Sequence, residues 1–266
     1  MKHLSPLFLL PLFLAGCDTG PDLAKICKES PVMCEEFIED TWCKKERVKT
    51  IYNNYLLSQT GEDKQKFDLL VAYEEYAACM DHASQIEHIK LKYKKRNRID
   101  NSITAKARIK EISEDTLHSE HPELLFYHWS RYLNEAALAK FLAMEGNEVL
   151  ETAESQFNLA TYYIKRDPDK TLDLLFHALE LQSTDNPVNT EIFKSITSIF
   201  TDKEEFKQAY IWLKILTLYD PEDVDSSEQG LISFGQFHEL DTEFLDKVAN
   251  ATLDKITDGT FTAPRH

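Results

Sequence analysis

The sequence ESQFNLATYYIKRDPDKTLDLLFHALELQ, residues 154–182, decides the fold of this chain. Its apolar residues recur at intervals of three and four, which is the spacing of an amphipathic helix. Leu159 and Tyr163 share one face of a first predicted helix. Asp167-Pro168 ends that helix, because proline has no amide proton and disfavours a helical residue before it. A second helix is predicted over residues 170–182, so the stretch should form a helix-turn-helix unit.

The same plan returns in NTEIFKSITSIFTDKEEFKQAYIWLKILTLYDP, residues 189–221. Three apolar positions of the first unit recur 36 positions later, Phe157 as Phe193, Ala160 as Ile196 and Tyr163 as Ile199. Helix-turn-helix units that recur at such an interval are typical of an α-solenoid, in which each unit packs on its neighbour. We therefore predict an all-α fold in which helix-turn-helix repeats stack as a short solenoid.

The two units resemble tetratricopeptide and Sel1-like repeats over roughly residues 150–221, with a Leu-Ala-x-x-Tyr core in the first copy. They depart from the pattern at Ile196, where a small residue belongs, and they lack the glycines of Sel1-like turns. The resemblance implies that the first helix of each repeat lines a groove for a protein or peptide partner. Carried over, the groove positions are Glu154, Thr161 and Lys165 in one copy and Thr190, Thr197 and Thr201 in the next. The alternative is that these residues form the solvated face of a surface helix.

The N-terminal stretch LFLLPLFLAGCDTGPD, residues 7–22, has an apolar run too short to span a bilayer as a helix. Its Leu-Ala-Gly-Cys sequence resembles the bacterial lipobox, which implies cleavage before Cys17 and fatty acylation, for example with palmitate, at that residue. We predict a signal peptide over 1–16 and a lipidated tether over 17–22, and a plain signal peptide is the alternative. The chain should face the periplasm from a membrane anchor, and Asp18 resembles an inner-membrane retention signal, although the outer membrane stays open.

Four cysteines remain in the mature chain, and an even number in an oxidising compartment predicts two disulfides. Among the three possible pairings we favour Cys27–Cys34 and Cys43–Cys79, which would staple the N-terminal segment. Zinc binding is the alternative, but the chain has no Cys-x-x-Cys pair, so no metal site is predicted.

The composition excludes several classes of function. The formal net charge is −16 at pH 7, and removal of residues 1–16 takes away one lysine, so the mature chain carries −17. Such a chain repels phosphate backbones, so nucleic acid is not an expected partner. Seven scattered glycines cannot build a phosphate-binding loop, and no cofactor is predicted. The length accommodates an N-terminal helical region with the cysteines over 23–112 and a helical-repeat region over 113–266.

One segment departs from this acidic composition. Within a helix predicted over residues 81–112, six cations fall in nine residues, namely Lys90, Lys92, Lys94, Lys95, Arg96 and Arg98. Two interpretations stay open, a patch for lipid headgroups or an acidic partner, and a solvated helix surface balanced by acids elsewhere.

A catalytic function has one candidate region, which contains His118, His121 and His128. Pro122 is expected to begin a helix after His121, which leaves His118 in a loop. The neighbouring aromatic residues Phe126, Tyr127 and Trp129 are predicted to pack in a core. The first hypothesis is therefore a non-catalytic, partner-binding scaffold without catalytic residues. The alternative is a peptidoglycan-related enzyme of the cell envelope, or its regulator, with a site near His118–Trp129.

Taken whole, the mature chain resembles a family of uncharacterised bacterial lipoproteins that carry a domain of unknown function. The shared segments are the four cysteines and the stretches YAACMDHASQI (76–86), FYHWS (126–130), ETAESQFNLATYYIKRD (151–167), EIFKSI (191–196) and AYIW (209–212). This resemblance implies no activity.

Overall fold

The computed structural model describes residues 22–87, 89–223 and 227–264. In this part of the chain all regular structure is helical and no β-strand is present, which confirms the predicted all-α class. The chain divides into two compact units, one up to Thr116 and one from Leu117 onward. The boundary predicted after residue 112 falls in the last turn of the helix that closes the first unit.

The described residues of the first unit form five helices. These are α1 (Leu23–Glu29), α2 (Pro31–Glu35), α3 (Lys44–Thr60), α4 (Asp63–Ser84) and α5 (Lys92–Asp115). Gly61 ends α3 with a left-handed φ of 70°, a conformation that costs glycine little, and its amide donates to the Leu57 carbonyl at 2.8 Å. The chain can therefore reverse in two residues, and α3 packs on α4, which packs on α5. Phe37, Tyr73 and Tyr76 lie in the core between them.

Two disulfides fasten the start of this unit. Cys27 in α1 is bonded to Cys34 in α2, and Cys43, which precedes α3, is bonded to Cys79 in α4. These are the two pairings that the sequence favours. The first closes a local hairpin of two short helices, and the second holds the beginning of α3 against the C-terminal part of α4.

The prediction of a single helix over residues 81–112 was wrong at the N-terminal end. Asp81 belongs to α4, the chain leaves helical geometry at Gln85, and α5 begins only at Lys92. The physical reason is Arg98, which is 2% exposed and donates to the Ala83 carbonyl at 2.7 Å and to the Asp40 carboxylate at 2.9 Å. These bonds require α5 to fold back along α4, which a continuous helix could not do.

The second unit contains eight helices in its described residues. These are α6 (Pro122–Tyr132), α7 (Glu135–Leu142), α8 (Ala153–Tyr163), α9 (Pro168–Glu180), α10 (Thr190–Asp202), α11 (Phe206–Tyr219), α12 (Glu228–Phe237) and α13 (Thr242–Thr257), with a 3₁₀ turn at Glu148–Leu150. Asp167 accepts from the Lys170 amide at 3.0 Å and Pro168 is the first residue of α9. The proline therefore begins this helix, two residues earlier than predicted.

The predicted repeats are visible as two packed helix pairs, α8 with α9 and α10 with α11. Ala160 and the corresponding Ile196 are both buried, and Phe193 is completely buried in the same core. The pairs begin at Ala153 and Thr190, which matches the interval read from the sequence. The structure therefore confirms the predicted packing of helix-turn-helix units.

No helix among the described residues combines the length and the apolar character that crossing a membrane would require.

The two disulfides should differ in their contribution to stability. Replacing Cys43 and Cys79 by alanine opens a loop with a sequence separation of 36, whereas the Cys27–Cys34 pair closes a separation of only 7. Loop-closure entropy predicts losses of about 3–4 kcal/mol and about 2–2.5 kcal/mol, respectively, in the free energy of unfolding. Urea unfolding of the two double variants, followed by far-UV circular dichroism, measures the difference. Equal losses, or a larger loss for the shorter loop, would contradict this assignment of roles.

Candidate functional site

The first three predicted groove residues lie on one exposed line along α8. Thr152 caps the helix by accepting from the Ser155 amide at 3.1 Å, which places Glu154 in the first turn, where the helix dipole favours an acid. Thr161 follows seven residues later, and Lys165 lies just after the helix ends. All three side chains are exposed, and Lys165 has no carboxylate within ion-pair distance among the described residues. The line therefore carries an acid at one end and an unpaired base at the other.

The corresponding residues of α10 are less accessible. Asn189 caps this helix, and Thr190, Thr197 and Thr201 follow at the same spacing of seven and four. All three are half-buried. The second copy thus presents a flatter surface with weaker polarity than the first.

The threonine hydroxyls on both helices are already engaged. Thr161 donates to the Phe157 carbonyl at 3.0 Å, and Thr197 donates to the Phe193 carbonyl at 2.8 Å. Thr201 makes the same bond to the carbonyl of Thr197, also at 2.8 Å. A hydroxyl that donates to the preceding turn can still accept a hydrogen bond from a ligand. Recognition by charge on this surface therefore depends on Glu154 and Lys165.

An aromatic and cationic edge adjoins the end of α8, and the sequence analysis missed it. The ring of Tyr162 lies 5.8 Å from that of Trp129 and 4.9 Å from that of Tyr163. The Arg166 guanidinium lies 4.1 Å from the centroid of the Tyr162 ring, which is a close cation–π contact. Tyr162 and Arg166 are four residues apart at the end of a helix, and this spacing is the signal that could have revealed the pair. Arg166 is exposed and forms no ion pair in the described part of the chain.

The neighbouring cation Lys170 instead stabilises the fold. Lys170 lies 2.5 Å from the Glu145 carboxylate and 3.8 Å from the centroid of the Tyr163 ring, and the Tyr163 hydroxyl donates to Glu145 at 2.8 Å. Burial opposes ionisation of Glu145, but the hydrogen bonds from Lys170 and Tyr163 hold the pKa of its carboxyl below the ordinary value. The hydrogen bond to Glu145 raises the pKa of Lys170. This triad ties the start of α9 to the chain that follows α7.

The histidines of the alternative site lie in different environments. His118 is exposed in the turn before α6, and His121 is the residue before Pro122, with an Nδ1 atom that is buried and without a hydrogen-bond partner. His128 is 3% exposed within α6. In residues 22–87, 89–223 and 227–264, one group of three potential metal ligands lies within 4.8 Å, Cys43, Glu46 and Cys79, and its cysteines are joined in a disulfide. The described histidines are therefore not assembled into a metal site.

The aromatic residues of the same region pack as expected for a core. Tyr127 is 3% exposed. Phe126 is half-buried with its ring 5.5 Å from that of Phe141, and Trp129 is also half-buried beside Tyr162.

The cationic segment of the first unit divides into structural and surface residues. Arg98 is buried in its pair with Asp40, Lys95 is paired with Glu87, and Arg96 lies 3.9 Å from Asp100. The cations without an ion partner among the described residues are Lys90, Lys92 and Lys94. The surface patch is therefore about half as large as the sequence indicates. The predicted lipidation residue Cys17 lies outside the described residues.

His177 joins two acids at the end of α9. Its Nε2 atom lies 2.7 Å from Glu151 and its Nδ1 atom lies 3.2 Å from Glu180. Partial burial opposes protonation of the imidazole, but the two carboxylates outweigh it and raise the pKa of His177.

Comparison with known proteins gives one match. A family model described as "Protein of unknown function (DUF2989)" matches residues 14–214. No curated protein and no solved structure matches the chain.

The His177 pairs predict a pH-dependent contribution to stability. Because the folded-state pKa lies above that of the unfolded chain, the pairs stabilise fully below about pH 6.5, and the contribution is lost as the pH rises through the folded-state value. The unfolding free energy of the wild type should therefore be higher than that of His177→Gln at pH 5.5. This gap between the two proteins should close by pH 8.5. We expect a gap under about 1 kcal/mol, because the side chain is 37% exposed and solvent screens the pairs. Urea unfolding across this pH range measures it, with His82→Gln, a change at an exposed histidine outside any described ion pair, as the control. A gap that widens with pH would refute the assignment.

Proposed function

The chain belongs to the DUF2989 family, whose function is unknown, and we propose that it is a non-catalytic scaffold that binds a protein or peptide partner in the cell envelope. The partner surface is the exposed line of α8 together with the corresponding positions of α10. A lipid anchor at Cys17 holds the chain at a membrane and directs the folded units into the periplasm.

One observation carries the proposal of a partner surface. Glu154 and Thr161 are exposed on α8, whose opposite face is buried. Lys165 is exposed just after the end of α8 and has no carboxylate partner among the described residues. In a chain with a net charge of −16, a lysine without an acidic neighbour is available to pair with a carboxylate of another molecule. Stacked helix pairs present extended surfaces of this kind and seldom converge catalytic groups.

The spacing of the two charges describes the partner. Eleven positions separate Glu154 from Lys165, which is about 16 Å along a helix at 1.5 Å per residue. An extended peptide covers this distance in about five residues. The expected partner segment therefore carries a basic residue that pairs with Glu154. About five residues away it carries an acidic residue that pairs with Lys165. Arg166 on the Tyr162 ring offers a second contact for an acid at the same end.

The alternative, an enzyme or regulator with a site near His118–Trp129, has weaker support. Its three histidines occupy an exposed turn, a helix start and a buried helical position. The orphaned Nδ1 atom of His121 is the one feature that invites a ligand there. A general acid or base needs a substrate cleft within hydrogen-bond reach, and the aromatic residues of this region, Phe126, Tyr127 and Trp129, pack against other rings.

The membrane anchor rests on the sequence and on the extent of the family match. The matched region begins at residue 14, so the Leu-Ala-Gly-Cys sequence at 14–17 lies inside it. The described chain starts at Asp22, which caps α1 by accepting from the Ala24 amide at 3.2 Å. Only residues 18–21 would separate the acylated cysteine from this cap, so the first unit would lie close to the lipid surface.

Charge reversal tests the partner surface. Glu154→Lys combined with Lys165→Glu keeps the net charge and should weaken partner capture at least about tenfold, because both ends of the surface then repel the charges they attracted. Capture is measured by crosslinking and co-purification from detergent-solubilised envelopes of cells that express the full chain. Loss of the acid from the first turn of α8 should lower stability by under about 1 kcal/mol, so the helical signal should persist.

A matched control exists in α13. Glu243 is the second residue of α13, as Glu154 is of α8, and it pairs with Lys247 at 2.8 Å. The double variant Glu243→Lys with Lys247→Glu therefore makes the same charge reversal away from the proposed surface. Capture should survive this control. If capture survives the α8 reversal but fails when Lys90, Lys92 and Lys94 are changed to glutamine, the partner binds the cationic segment and the α8 surface is the wrong one. Arg98 stays unchanged in that arm, because its buried pair supports the fold.

The anchor has its own test. Cys17→Ser should move the chain from the membrane fraction to the soluble fraction or leave it unprocessed, since one or more acyl chains at this residue provide the membrane affinity. Cell fractionation and intact mass measurement of the wild-type chain check this. An unmodified N-terminus, or cleavage at another position, would disprove the anchor without affecting the partner surface.

A further inference from the structure

The second unit contains a partly open cavity of about 320 Å³ between helices α9, α10, α11 and α13 and the segment that follows α13. Four aromatic residues from four different segments contribute to its walls, Phe176, Phe200, Trp212 and Phe261. Each of them is at most 8% exposed. The remaining sides of the cavity are more open, because Gln208, Lys255, Thr262 and Pro264 are exposed, so the space is a partly open cleft with an aromatic floor.

The C-terminal wall is held in place by specific contacts. Gly259 has a left-handed φ of 66°, and the Thr260 amide donates to the Lys255 carbonyl at 2.8 Å, so the chain turns back after α13. The ring of Phe261 then lies 6.5 Å from that of Phe176 and 6.3 Å from that of Trp212. The Ala263 amide donates to the Glu180 carboxylate at 2.6 Å. Because both ends of this segment are fixed, the space beneath it is a built feature.

The size of the cavity exceeds what packing defects leave. Protein interiors contain few voids larger than one water molecule, and an apolar cavity of about 150 Å³ already binds benzene. A cavity of twice that volume has room for roughly ten to twelve non-hydrogen atoms. It also reaches the lower end of the range of about 300–1,000 Å³ that is typical of ligand sites. The aromatic walls favour an apolar body.

The charges at the edge indicate the head group of a ligand. Two charged residues line the cavity, Glu205 and Lys255. Glu205 lies 3.7 Å from Lys203, whereas Lys255 has no carboxylate within ion-pair distance in the described chain. Lys255 is in the last turn of α13, where the helix dipole supports a positive charge. The unpaired charge beside the apolar space is therefore positive.

We propose that this cavity binds a small anionic amphiphile, an apolar body of about ten carbons with a single carboxylate that pairs with the Lys255 ammonium group. A straight acyl chain and a fused aromatic ring both satisfy this chemistry. The proposal concerns a different face of the unit from the α8 surface and does not depend on partner binding.

Isothermal titration calorimetry of the full chain tests the site, with Cys17→Ser so that no acyl group of the protein competes. The probes are decanoate and 2-naphthoate, used below micelle-forming concentrations, with decanol and decyltrimethylammonium as head-group controls. We expect saturable binding of at least one carboxylate, and decanoate binding over naphthoate identifies the ligand body as an acyl chain. The neutral and cationic probes should bind about three- to tenfold more weakly, which is the net effect of one hydrogen bond of ordinary strength at the exposed Lys255.

Two substitutions locate the binding. Lys255→Gln should weaken carboxylate binding about three- to tenfold while leaving decanol unchanged. Lys247→Gln is the matched control, because Lys247 lies on the same helix but pairs with Glu243 and does not line the cavity. Val248→Phe fills the cavity from α13 and should abolish binding without lowering the melting temperature, and Thr252→Phe repeats this test if the first variant is unstable. Absence of saturable binding, or binding that both phenylalanine variants retain, would overturn the proposal.

Discussion

The described helices of this chain carry apolar faces, and the need to bury those faces against neighbouring helices determines both units. Burial of apolar surface is worth about 25 cal/mol per Å², and no helix of this length can gain it alone in water. Short turns make the next helix in the sequence the nearest available partner. The pairs α3–α4, α8–α9 and α10–α11 follow directly from this constraint. The faces that remain outward are the ones on which a partner can be recognised.

In the first unit one polar contact directs the apolar packing. This contact is the buried ion pair between Arg98 and Asp40. Burial opposes ionisation of Asp40, but hydrogen bonds from Arg98 and from the Trp42 amide hold the pKa of its carboxyl below the ordinary value. Burying two charges is favourable only when geometry and hydrogen bonds compensate for lost hydration. Here the guanidinium also satisfies the Ala83 carbonyl near the end of α4, so the same pair sets the direction of α5.

The two proposed binding surfaces of the second unit differ in their physics. The α8 line is solvated, its threonine hydroxyls are occupied, and its two charges act through water, so it suits orientation and specificity more than affinity. The cavity beside residues 259–264 is partly open but has buried aromatic walls, so a ligand there gains mainly from desolvation of its apolar body. Both features are compatible with the proposed binding role.

The sequence by itself determined the helical class, the helix pairs and the repeat interval, because these depend on local spacing within each segment. Pro122, for example, was expected to begin a helix and is the first residue of α6. The sequence only favoured one of three cysteine pairings, and the structure shows that Cys43 is bonded to Cys79 across a sequence separation of 36. Only the tertiary structure decided which cations are free, since Arg98 and Lys92 look equivalent in the sequence but one is buried against Asp40. It also decided the aromatic cavity, whose walls Phe176, Trp212 and Phe261 are distant in the chain and meet through packing. Local spacing carries no information about such long-range proximity, and that is why the first group was predictable and the second was not.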